Sequence, residues 1–254
     1  MASITIASRF RGPPSSGNGG YVCGLLAQHV GTDGAEITLR LPPPLERALD
    51  VVPGADGSIE LRDGEKVVAN GRRAKVDVGE IPHVGLRQAA EGMRRTRFSD
   101  AANHFLPMCF VCGPGRLHGD GLRLFVGPLL DSDGAECSTH VATWVPYGNL
   151  VGSDGRVAPE FVWSALDCPT GFAGGWAREL GMNGDQPMLL GRMAAEVRAR
   201  PRPGEECVIT AWPVARDGRK LMANAALTGA DGNVMAIARA TWLVVDRQVQ
   251  LGKS

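Results

Sequence analysis

The sequence predicts an α+β protein made of two similar units in tandem, each an antiparallel sheet wrapped around one central helix. Two observations carry this. The order strand, apolar helix, strand meander occurs twice along 254 residues, in units of the usual size for one compact body. Each helix is also apolar on nearly every side, so it belongs inside a sheet rather than on a surface.

The first unit opens with an alternating strand over residues 3–10 and a loop rich in glycine and proline over 12–20. Asn18 is placed to cap a helix. Residues 21–29 carry Val22, Leu25, Leu26 and His29 at helical spacing, and Gly19, Gly20 and Gly24 allow another backbone or a ligand to come close. Strands follow at 35–41, 58–62 and 65–78, separated by the turn pairs Asp56-Gly57 and Asp63-Gly64. Residues 79–106 lack a clear period and read as a long connection that crosses the molecule, with a short polar helix over 89–97.

The second unit repeats the plan. Strands are expected at 121–125 and 135–144, and a helix starts at Pro159, where proline suits the first turn. Pro169 lacks an amide hydrogen, so the helix should end or kink there. Long strands at 189–200, 207–215, 220–228 and 234–245 follow, with Asp217-Gly218 and Asp231-Gly232 as tight turns. The units divide as residues 1–98 and 99–254, and joining them edge to edge leaves neither joined edge open.

Composition narrows the function. Hydrophobic residues make up 44% and charged residues 21%, enough apolar material for a full core. Basic and acidic residues number 27 each, so no basic excess points to nucleic acid, and the run Arg94-Arg95-Thr96-Arg97 reads as a solvated linker. No stretch reaches the length of a membrane span, nothing near Met1 looks like an export signal, and the six scattered cysteines suit reduced thiols in the cytoplasm. Phosphate-binding loops, dinucleotide fingerprints and the serine elbow of hydrolases are not found.

Cys109-Phe110-Val111-Cys112-Gly113-Pro114, followed by Gly121-Leu122-Arg123-Leu124, resembles the opening segment of many hotdog-fold thioesterases. Asn18-Gly19-Gly20 resembles the His-Gly-Gly turn that starts their central helix. The resemblance covers nearly the whole chain as a double hotdog, and it implies an acyl-CoA thioesterase without metal or redox cofactor. It implies a CoA or carrier-protein thioester as the substrate, and a homodimer of such chains as the assembly. In that family a glycine amide at the helix start polarises the thioester carbonyl, and an acid nine residues after the histidine comes from the opposite subunit. By that pattern the Gly19 amide and Asp167 form one complete site. The reciprocal pair is Pro159, which has no amide hydrogen, and Ala27, which has no acid.

Asp167 also stands out on its own. It follows Phe161, Val162, Trp163, Ala165 and Leu166, and a carboxylate in such company is costly unless paired or functional. Its plain alternative is a helix-end residue before the Pro169 turn. Asn18, Gly20, Trp163, Ser164 and Thr170 are expected beside it, with Ser164 and Thr170 holding water. Glu160 reads as an ordinary first-turn acid facing the helix dipole. The tryptophans and Met108 are expected in the core or the acyl groove. His104, Cys109, Cys112 and His118 have spacing that zinc can use, but the family motif accounts for the cysteines without metal. Two rival functions remain: a silent acyl-CoA-binding protein, favoured by Ala158-Pro159-Glu160 standing where His-Gly-Gly would, and an enoyl-CoA hydratase, disfavoured because the Gly-Asp-x-Asn-Pro segment of that branch is missing.

Overall fold

The computed structural model describes residues 2–31, 34–175 and 187–246. In chain order these form β1 (Ala2–Thr5), α1 (Gly19–Ala27), β2 (Gly34–Leu39), β3 (Ala48–Pro53), β4 (Ile59–Asp63), β5 (Lys66–Arg73), α2 (Leu86–Arg94), β6 (Gly127–Leu130), β7 (Glu136–Trp144), α3 (Pro159–Phe172), β8 (Met188–Val197), β9 (Cys207–Asp217), β10 (Lys220–Gly229) and β11 (Val234–Val244).

The two expected sheets are one. Eleven strands among the described residues run in the order β1-β3-β4-β5-β2-β8-β11-β10-β9-β7-β6, every neighbour antiparallel. The seam is β2 against β8, with Ala35 opposite Ala195 and Ile37 opposite Met193. Each of these strands would otherwise present a row of unpaired backbone groups, so pairing them removes two edges at once. Along β10 the inward positions Leu221, Ala223, Ala225 and Leu227 are fully buried, and the small alanines leave room for α3. The outer face of this half is covered as well. The connection after β5 runs over Ala226 and Ile237 through Val76 and Val78, and buried Asn224 donates to the Val78 carbonyl at 3.1 Å. Helix α2 then packs on β6, β7 and β9, although it precedes residue 98 in the chain. This is where the long connection crosses the molecule.

Helices α1 and α3 lie antiparallel at the centre. A Cβ on Gly20 would sit 2.4 Å from the Asp167 Cβ, and one on Gly24 would sit 2.6 Å from the Glu160 Cα. Only glycine permits that approach. The start of α1 therefore meets the later turns of α3, and the end of α1 meets the start of α3. Phe10, Tyr21, Phe110 and Phe161 close the interface as a ring cluster, with Phe10 stacked on Tyr21 at 4.1 Å.

Several expectations are corrected. Residues 121–125 are not a strand, because Arg123 has a positive φ of 52° and the amides of Leu122 and Leu124 bond to the carbonyls of Phe110 and Val111 instead of a sheet. The short strand β3 was not expected, since residues 48–53 follow a proline-rich turn and end in Pro53. Helix α3 passes through Pro169 and ends one turn later at Phe172. One backbone bond is forgone, and packing in a fully buried setting holds the last turn: the Thr170 hydroxyl donates to the Asp167 carbonyl at 2.6 Å and accepts from the Trp242 indole at 2.8 Å. Thr170→Val leaves that indole N–H buried and unpaired, so a thermal melt should register a loss of about 1–3 kcal/mol, and Thr170→Ser should recover most of it. Met108 is exposed rather than in the core. Trp144, Trp163 and Trp242 are buried and Trp212 half-buried, while Trp176 lies outside the described residues.

Candidate active site

The first turn of α1 builds one side of the site. An α-helix leaves its first amides without partners. Here Val22 N–H reaches the Asn18 carbonyl at 3.0 Å, Tyr21 N–H reaches Asn18 Oδ1 at 2.9 Å, and Gly20 N–H reaches Asp167 Oδ2 at 3.0 Å. Among the described residues no hydrogen bond engages the Gly19 amide, and Gly19 lines an apolar cavity of about 230 Å³. Positive potential at the helix start favours an anion there.

The other side is Asp167, 1% exposed on α3. Asn18 Nδ2 donates to its Oδ2 at 2.8 Å, so Asn18 is both the helix cap and a partner of the acid. Oδ1 is buried without a partner among the described residues. Burial pushes the carboxyl up to about 7; the Gly20 amide pulls it down, negative charge on Cys109 raises it, and the Asn18 amide lowers it. The cavity beside it is walled by Leu39, Leu190, Phe172, Met188 and Trp242.

The remaining candidates divide. Trp163 is buried against Gly24 and faces away from this cavity. The Ser164 hydroxyl donates to the Glu160 carbonyl at 2.7 Å, and Thr170 is engaged as described. Neither hydroxyl lines the cavity, because both protons go to carbonyls of their own helix. Glu160 does sit in the first turn of α3, accepting from Gln28 at 3.1 Å. At the opposite end of the helix pair, Ala27, Pro159 and Trp163 line a second pocket of about 210 Å³. That pocket has a methyl where the first has a carboxylate, and a proline where the first has a free amide.

The four residues with zinc-like spacing do not assemble. His118 is on the surface, 3.0 Å from the Tyr147 hydroxyl. His104 Nδ1 accepts from the Leu106 amide at 3.0 Å, so the neutral ring carries its proton on Nε2. What gathers instead is Cys109, Cys112 and Cys168, whose sulfurs all lie within 4.8 Å of one another at the cavity wall. The neighbouring thiols of Cys112 and then Cys168 hold Cys109 well below the ordinary thiol range, while the Cys109 sulfur pushes Cys112 and Cys168 up. All six cysteines are free. Cys168 was not paired with the other two by sequence reasoning; its only signal was adjacency to Asp167.

No family profile and no curated protein matches the sequence. Solved structures do. A conserved protein of unknown function with a hot dog fold from Alicyclobacillus acidocaldarius is 12% identical over 96% of this chain and 92% of its own, with a TM-score of 0.59. The acyl-CoA thioesterase II TesB2 from Mycobacterium marinum is 10% identical over 96% and 92%, with a TM-score of 0.56. The tesB protein of Mycobacterium avium subs paratuberculosis is 11% identical over 92% and 89%, also at 0.56. The chain has the hotdog fold, as its opening motif implied. Among the described residues no helix is long and apolar enough to cross a membrane.

Proposed function

We propose that this chain is a thioester hydrolase acting on acyl-CoA or acyl-carrier substrates, built as two hotdog units in tandem. The units divide in sequence near residue 98, and α2 is exchanged across that division. One observation supports the activity above the others: a single cavity holds two groups without a partner among the described residues, the Gly19 N–H and, on a buried carboxylate beside it, Asp167 Oδ1. The acyl chain lies against Leu39, Leu190 and Trp242, and the thioester carbonyl points at the Gly19 amide. As the carbonyl carbon is attacked, negative charge gathers on that oxygen, and the amide at a helix start stabilises it; removing one such donor costs about 3 kcal/mol in well-studied acyl-transfer enzymes. Asp167 either takes a proton from the attacking water or attacks the carbon itself, forming an anhydride and expelling the thiolate.

The test is release of free thiol from acyl-CoA substrates of graded chain length. The second pocket predicts an asymmetry. Ala27→Ser and Pro159→Ala should leave the rate per folded molecule within about twofold, a change under 0.5 kcal/mol; a large loss at either position would show the live site to be the other one. The silent-binder reading draws on Gly20 and Asn18 already occupying Asp167 Oδ2. Acyl-CoA binding by wild type with no thiol release would favour it. Hydration of a crotonyl thioester would instead favour the hydratase.

A further inference from the structure

The three cysteines form a construction that the proposed hydrolysis does not use. Cys109 and Cys112 sit on one tight turn. The Gly113 amide donates to the Cys109 carbonyl at 2.9 Å. A Cβ on Gly113 would lie 2.4 Å from the Cys109 carbonyl oxygen, so this turn closes only with glycine. Cys168 comes to the same point from α3, with its sulfur 3.8 Å from that of Cys109. Asn18 Nδ2 is 3.9 Å and 4.0 Å from the Cys109 and Cys168 sulfurs. All three side chains are at least nine-tenths buried.

We infer that Cys109, Cys112 and Cys168 bind one thiophilic cation, zinc, as three thiolates with the fourth position open to the cavity. Sulfurs about 2.3 Å from a tetrahedral zinc lie about 3.8 Å apart, which matches the Cys109–Cys168 separation of 3.8 Å, with all three sulfurs within 4.8 Å of one another. Three thiolates around a divalent ion leave one net negative charge. The Asn18 amide already faces two of the sulfurs and partly offsets it, as outer partners of metal thiolates do. A second observation points to a ligand in the cavity that the sulfurs line: Asp167, the neighbour of Cys168, lines it too and keeps Oδ1 buried and without a partner among the described residues, its carboxylate standing outside the sulfur group. His104 does not complete the set, because among the described residues no histidine nitrogen joins the group of three sulfurs. The fourth position therefore belongs to an atom from the cavity, and the site is independent of whether the chain hydrolyses thioesters.

The test uses the full chain, freed of metal by a chelator under reducing conditions and titrated with Co²⁺ as the probe. Expected is one equivalent bound, with thiolate-to-cobalt charge-transfer absorption and the visible bands of a tetrahedral ion, both lost on adding one equivalent of Zn²⁺. Cys112→Ser and Cys168→Ser should each lose the charge-transfer band, and Cys23→Ser, buried elsewhere, should keep it. Alkylation of wild type in mild denaturant, mapped by peptide with and without Zn²⁺, decides the question without any variant: zinc should slow the labelling of Cys109, Cys112 and Cys168 and leave the labelling of Cys23, Cys137 and Cys207 unchanged. No cobalt uptake, undiminished absorption in both cluster variants, or labelling of the three cluster cysteines that zinc does not slow would each overturn the assignment.

Discussion

Asp167→Asn lowers thioester hydrolysis by about 10²–10⁴-fold, the range spanned by a positioned general base. The substitution is chosen for its shape. The amide oxygen of asparagine can go on accepting from Gly20 and Asn18, which bond to Oδ2 in the wild type. The fold is therefore retained while the negative charge and basicity are removed. Asp167→Ala loses the same activity but leaves two buried donors without an acceptor, so it also lowers stability, by about 1–3 kcal/mol per stranded group at most. Comparing the two separates chemistry from folding. Thiol release by a folded Asp167→Asn variant within about twofold of wild type, a difference under 0.5 kcal/mol, would remove Asp167 from the mechanism and leave it as a buried partner of the α1 cap.

Gly24→Ala destabilises the protein without touching the carboxylate. On an isolated helix the change would help, by roughly 0.5–1 kcal/mol. Here the new Cβ would stand 2.6 Å from the Glu160 Cα and 2.9 Å from the Trp163 Cβ. The first of these is backbone and cannot rotate away, so α1 and α3 must separate. Overpacking of this kind costs about 1–3 kcal/mol, which exceeds the propensity gain, and melting should fall by about 2–4 °C per kcal/mol of net loss for a chain of this size. Gly20→Ala is expected to do more, since its Cβ meets the Asp167 Cβ at 2.4 Å and so moves the acid itself. Calorimetry on Gly24→Ala is the check, and an unchanged or higher melting temperature would show that the helices do not pack this closely.

Much of this arrangement could be read before any coordinates. Alternation and Asp-Gly turns located most of the strands, because a half-buried strand and its turn are written in neighbouring residues. Asn18 was legible as a cap for the same reason: its partner Tyr21 is three positions away. Pro169 misled because local chemistry argues for a stop, whereas the Trp242–Thr170 bond and the surrounding core keep the last turn helical. Residues 121–125 misled because their pattern suits a strand while their amides are taken by a loop.

The sequence by itself determined a buried acid, a glycine-rich helix start, two helices that had to be enclosed, and an asymmetry between Asp167 and Ala27. Only the tertiary structure decided that the two sheets merge at β2 and β8, that Gly20 binds the acid while Gly19 keeps its amide free, and that Cys168 joins Cys109 and Cys112. The division follows from range. Periodicity, capping and turn chemistry act over a few residues, but Gly20 and Asp167 are 147 positions apart and Cys109 and Cys168 are 59. The meeting of Gly20 and Asp167 depends on how closely two helices pack, and here that distance is set by the missing side chains of Gly20 and Gly24, while Cys109 reaches Cys168 from a turn.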